Sequence, residues 1–137
     1  MLSYGVRYGV VLLTLVVGDL LWLSYFARTV FRPTLGPMLR DPPIWTAAAL
    51  FYLLYALGVV IFAVGPAFRL ASWRTAIAYG ALFGFFAYMT YDLTNLATIR
   101  VWTVRLAVMD VIWGTFVSGL AGLLGYAIAR GTLETVP

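Results

Sequence analysis

Four long apolar stretches, separated by shorter polar ones, make up most of this chain; they run over about residues 8–26, 44–64, 75–95 and 104–129. About 20 consecutive apolar residues, rising 1.5 Å each, carry a helix across the hydrocarbon core of a bilayer. Each stretch meets that length. The pattern therefore predicts four transmembrane helices forming one all-α integral membrane domain over residues 1–137. The first stretch does not read as a cleavable signal peptide. It is long, carries Asp19, and lacks a small-x-small cleavage site before the next polar segment.

The breaks between stretches predict the connections. Residues 28–43 contain Arg28, Arg32, Arg40, Asp41 and the prolines Pro33, Pro37, Pro42 and Pro43. Proline fixes φ and removes a backbone donor, so this segment reads as a structured loop or an interfacial segment. Gly65-Pro66 reads as a helix stop. The third connection, residues 98–103, is short enough to make the third and fourth helices an antiparallel hairpin. Trp45, Trp73 and Trp102 fall at expected helix ends, where tryptophan anchors a membrane interface. Five arginines (28, 32, 40, 100, 105) lie on one side and four (7, 69, 74, 130) on the other. That balance does not fix an orientation by the positive-inside rule.

Composition narrows the chemistry. The chain is 64% hydrophobic and 10% charged, against roughly 25% charged in soluble domains. It has no cysteine and no histidine, which excludes disulfides, iron–sulfur ligation, a thiol nucleophile and imidazole ligands for haem or zinc. It has no lysine, which excludes a retinal or pyridoxal Schiff base. Its net charge of +4 is spread along the connections. That fits contact with membrane lipids and gives no nucleic-acid footprint.

Three carboxylates stand out against this background: Asp19, Asp92 and Asp110 lie deep in apolar stretches. A charge in a bilayer is costly, so such residues face a bundle interior. Asp92 lies nine residues before Val101 and Asp110 nine after it, while Asp19 lies nine before Arg28. Nine residues of helix rise roughly 13 Å, so the three are expected at one depth below one membrane face. Tyr52 and Tyr55 on the second helix reach a similar height, and Tyr88, Tyr91 and Asn95 share the neighbourhood of Asp92. Phenols and amides can donate to carboxylates.

Trp22 and Trp113 each follow an aspartate by three residues and are candidates to shield a cavity or stack on a ligand. Arg100 and Arg105 are candidate counter-ions. The strings Asp19-Leu-Leu-Trp22 and Asp110-Val-Ile-Trp113 echo each other on helices of opposite direction, as in an inverted repeat. Three aspartates on separate helices give no metal-ligand spacing, so no metal and no cofactor is assigned.

Small residues predict how the hairpin packs. Gly80, Gly84, Tyr88 and Asp92 recur every four residues on the third helix, and Asp110, Gly114, Ser118 and Gly122 on the fourth. Such stripes let membrane helices approach closely. The expected pairs are Gly80 with Gly122, Gly84 with Ser118, and Asp92 with Asp110, with Tyr88 wedged against Gly114.

The strings Tyr91-Asp-Leu-Thr-Asn95, Asp110-Val-Ile-Trp-Gly114, Asp19-Leu-Leu-Trp22 and Phe51-Tyr-Leu-Leu-Tyr55 resemble those of small bacterial membrane proteins grouped as domain-of-unknown-function family 2177. The resemblance covers nearly the whole chain. It implies a four-helix protein of the bacterial inner membrane and transfers no catalytic role. From the residues, the first expectation is a pocket of Asp19, Asp92, Asp110, Tyr52, Tyr55, Tyr88, Tyr91 and Asn95 that binds a proton, a cation, or a lipid or quinone headgroup. Homo-oligomers fit a transport role. The alternatives are an accessory subunit of a larger membrane complex and a lipid-modifying enzyme using an aspartate as acid or base. The plain structural reading is that each aspartate hydrogen-bonds its neighbours and pins helices together.

Overall fold

A computed structural model describes residues 2–134 of the chain, with side chains from residue 3 to 132. It is an all-α membrane bundle. We number its long helices α1 (Leu2–Phe26), α2 (Trp45–Val59), α3 (Trp73–Thr98) and α4 (Val104–Glu134).

Prolines do not break the helical path after α1 and α2. A wide π-helical turn, Ala27–Phe31, follows α1 and leads into Arg32–Leu35 and a tight turn, Gly36–Met38. A second π-helical turn, Val60–Val64, follows α2 and leads into Gly65–Arg69. In each case a proline, Pro33 or Pro66, stands two residues past the wide turn. A proline ring clashes with the carbonyl four residues back and leaves it without a donor. A wide turn just ahead gives the backbone the room to continue. The segment over 28–43, expected as a structured loop or an interfacial segment, is therefore helical as far as Met38, and Gly65-Pro66 does not stop the second helix.

With these extensions, the helices Ser3–Met38, Trp45–Arg69 and Val104–Thr132 are each long and apolar enough to cross a membrane. Helix α3 is less apolar, yet its 26 residues extend about 39 Å and lie antiparallel along α4. Part of its polarity is internally satisfied. Thr90, Thr94 and Thr98 each donate to the carbonyl four residues earlier, at 2.6, 2.5 and 2.8 Å, which suits a hydroxyl facing lipid. Ser72 caps the start of α3 by accepting from the Thr75 N–H at 3.3 Å. Thr103 does the same for α4 through Leu106 N–H at 3.2 Å.

Helix α4 is the axis of the bundle. It packs along α3, along α1 and on the turn Val60–Val64 after α2. The α3–α4 approach depends on missing side chains. A Cβ on Gly84 would overlap the Gly114 carbonyl oxygen, and one on Gly80 would fall 2.5 Å from that of Ser118. Gly122 packs on Ala76 and Gly80 on Ser118 and Gly119, about one turn from the expected Gly80–Gly122 pair.

The apolar core forms two main clusters. One gathers Val11, Leu15, Ala56, Val59, Ala63, Val64, Val117 and Ala121. The other gathers Phe26, Val30, Leu35, Trp102, Leu106 and Ala107. The aspartates lie in the layer between them. Trp45 and Trp73 are exposed at helix ends, but Trp102 is buried in the second cluster rather than standing at an interface.

Candidate functional site

Helices α1, α3 and α4 bring Asp19, Asp92 and Asp110 into one layer, each at most 7% exposed. Their surroundings differ. Asp19 accepts from the Tyr52 hydroxyl at 2.9 Å and from Trp113 Nε1 at 2.8 Å. It thereby ties α1 to both α2 and α4. Tyr55, one turn past Tyr52, shares a hydrogen bond of 2.8 Å with Ser118. With the Tyr8 hydroxyl donating to the Leu53 carbonyl at 3.0 Å, three inter-helix bonds hold the middle of α2 to the bundle.

Asp92 and Asp110 form a second unit, the facing pair that the hairpin spacing predicts. Their carboxyls neighbour each other, and the Trp102 indole stands beside Asp92. Asp92 is fully buried, and neither of its oxygens meets a donor in hydrogen-bonding geometry; the Trp102 Nε1–H is likewise unpartnered. Buried polar groups are normally satisfied, so such an exception calls for an occupant or a proton. Two carboxyls in contact can hold one proton between them. Among the described residues no group of three or more carboxylates gathers as a metal cage.

The expected counter-ions are elsewhere. Arg100 and Arg105 are exposed, and neither is among the groups acting on Asp92 or Asp110. Both lie close to the α3–α4 turn, so they point to the surface while the carboxyls point inward. Asn95 lies beside the Tyr91 hydroxyl, one turn back on the same helix, and is not among the groups acting on Asp92. Tyr91 itself is half exposed.

The first half of α2 does not pack its backbone against α3; close contact begins at the turn Val60–Val64. Aromatic side chains bridge the gap, with Tyr55 against Phe83 at 5.1 Å and against Tyr88 at 6.1 Å between centroids. Above that bridge a cavity of about 400 Å³ is lined by Phe51, Tyr55, Ala87, Tyr88, Tyr91 and Asp110. A smaller one, about 160 Å³, is lined by Asp19, Trp22, Leu23, Phe31, Tyr88, Asp110 and Trp113. Asp110 and Tyr88 border both. Tyr88 is held there because its ring packs into the space that a Cβ on Gly114 would fill.

Trp22 and Trp113 stack with each other between the two core clusters. Sequence reasoning missed the site contacts of Trp102, Ser118 and Phe31. Ser118 had a signal, since it continues the stripe of Asp110 and Gly114. Phe31 had none, because its position depends on the first helix continuing past the wide turn.

The family described as "Predicted membrane protein (DUF2177)" matches residues 4–127 of the chain. No curated protein and no solved structure matches it.

Proposed function

We propose, for a chain that belongs to the DUF2177 family of predicted membrane proteins, that the Asp92–Asp110 pair binds the donor-bearing head of a lipid- or quinol-like amphiphile entering from the bilayer. The observation that carries this reading is the cavity of about 400 Å³ between α2 and α3, aromatic on most of its wall and ending on Asp110. An apolar cavity with a few polar groups at one end suits a ligand with an apolar body and a polar head. The chemistry of that head follows from the acceptors waiting for it. A carboxylate accepts hydrogen bonds, so the head carries a hydroxyl, phenol or ammonium group.

Two further features support lateral entry. The cluster of Phe26, Val30, Leu35, Trp102 and Leu106 lies between the carboxyls and the nearer membrane face, which hinders a path from water. The separation of α2 from α3 leaves a side opening toward lipid. On binding, a proton passes between the head and the carboxyl pair, and Asp19 stays outside that exchange because Tyr52 and Trp113 already occupy both its oxygens. The same reading sets the protein in the inner membrane of a bacterium, alone or as a homo-oligomer.

Gentle extraction followed by native mass spectrometry tests the proposal. The expected result is a small-molecule adduct of defined mass on the wild-type protein and on Arg105→Gln, lost in Asp110→Asn. A larger protein retained at fixed stoichiometry, with no small molecule, would overturn the pocket in favour of an accessory subunit.

A further inference from the structure

At the end of the bundle opposite the carboxyls, Arg7 is buried with no anionic partner among the described residues. It lies 12 residues before Asp19 on α1, about 18 Å away along the axis. It is 9% exposed, and its Nε–H meets no acceptor. Its guanidinium stacks over the Phe68 ring at 3.6 Å and meets the Tyr4 ring at 4.7 Å. Stacking fixes the plane of the group and satisfies its face, but leaves the in-plane Nε–H without an acceptor. One turn earlier on the same helix face, Ser3 Oγ is also buried and unpartnered.

The platform under Arg7 is itself held. Phe68 packs edge-on against Tyr126 at 5.0 Å, and Arg130 donates to the Tyr126 hydroxyl at 2.7 Å. Gly125 allows α1 close to α4 here; a Cβ on it would meet Val11 at 2.6 Å and lie 3.7 Å from the Arg7 carbonyl oxygen. A rigid platform with two unsatisfied donors and a positive charge matches a tetrahedral oxyanion, which offers several acceptor oxygens to a planar fork.

We propose that Ser3, Tyr4, Arg7 and Phe68 form a binding site for a phosphate group, that of a membrane phospholipid. The phosphate oxygens accept from Arg7 Nε–H, a terminal N–H of the same fork, and the Ser3 hydroxyl. The depth of Arg7, one to two turns into a membrane-crossing helix, is that of a headgroup. This site is independent of the carboxyl pocket in residues and in ligand chemistry.

The test uses purified full-length protein in a maltoside detergent, which carries no phosphate. Phosphatidylglycerol is added against a galactolipid with the same acyl chains, and retained lipid is read by native mass spectrometry. Wild-type protein is expected to retain phosphatidylglycerol selectively. Arg7→Gln and Arg7→Lys are expected to lose about tenfold or more of that retention, since a charge-assisted bond and the fork geometry both go. Ser3→Ala, which leaves the charge and the stacking in place, should fall by a smaller factor. Equal retention by wild type and the Arg7 variants, with unchanged helicity, would overturn the site. Should Arg7→Gln fail to fold, full retention in both Ser3→Ala and Arg7→Lys would do so. Inorganic phosphate that displaces the lipid supports the shared chemistry, whereas inorganic phosphate bound without any lipid retention would overturn the lipid source.

Discussion

Trp22 and Trp113 lie face to face, 4.7 Å between ring centroids and 1° from parallel. Each follows an aspartate by three residues, on helices that run in opposite directions. The two halves of this echo are not equivalent in the fold. Trp113 Nε1 donates across to Asp19 at 2.8 Å, while Trp22 Nε1 is buried without a partner although Asp110 borders the same cavity. Trp113→Phe should therefore cost about 1–3 kcal/mol, the range for leaving a buried acceptor without its donor. Trp22→Phe keeps most of the stack and removes no bond, so it should cost clearly less. Thermal unfolding in detergent measures both, and a Trp22→Phe loss equal to that of Trp113→Phe would count against this asymmetry.

Asp92→Asn and Asp19→Asn should also part company. At position 92 the substitution places an amide donor against Asp110 and removes a carboxyl oxygen that no donor supports, so stability should hold or rise. Ligand retention should nevertheless fall, because the acceptor pair is broken. At Asp19 the amide oxygen can still accept from Trp113, but the other atom becomes an NH2, so the Tyr52 contact survives only with its direction reversed, as a neutral pair. The expected cost there is about 1 kcal/mol. Unfolding curves and adduct intensity on the same preparations separate the outcomes. A large loss of stability in Asp92→Asn would make that residue a structural tie instead.

The sequence made the depth of the carboxyls legible because helix rise is regular. Equal spacing from one turn puts Asp92 opposite Asp110 whatever the side chains do. Close packing of Gly84 on α4 was legible for a similar reason. What remained hidden depends on backbone irregularity and side-chain direction. The continuation of the first helix to Met38 rests on a wide turn ahead of Pro33, which apolar periodicity does not report. Arg105 is close to Asp110 in sequence, yet helix rotation turns it outward. Asp19 proves the best connected of the three carboxyls, through donors that lie 33 and 94 positions away in the chain and that no local pattern reports.

Arg100→Gln and Arg105→Gln test the outward placement directly. Both side chains are exposed and neither acts on the carboxyl pair, so each change should stay within about 0.5 kcal/mol in stability. Adduct retention should match wild type. If Arg105→Gln instead abolished the adduct, the guanidinium would have to reach the pocket in the ligand-bound protein.

Gly114 and Tyr88 should behave as one unit. A Cβ at position 114 would overlap the Tyr88 ring at Cγ, so Gly114→Ala must push the phenol toward the cavities it borders. Overpacking of this kind costs about 1–3 kcal/mol. Because the obstacle is a side chain, Tyr88→Ala should relieve much of the penalty, with a coupling energy of about 0.5–3 kcal/mol. Gly84→Ala provides the contrast. Its Cβ would overlap the Gly114 carbonyl oxygen, and no truncation of Tyr88 can move that backbone atom. A double-mutant cycle on thermal stability should thus show coupling for Gly114 with Tyr88 and little for Gly84 with Tyr88. Adduct intensity should fall in Gly114→Ala, since the displaced ring fills the space a ligand needs. Additive losses at Gly114 and Tyr88 would mean that the phenol is not what that glycine makes room for.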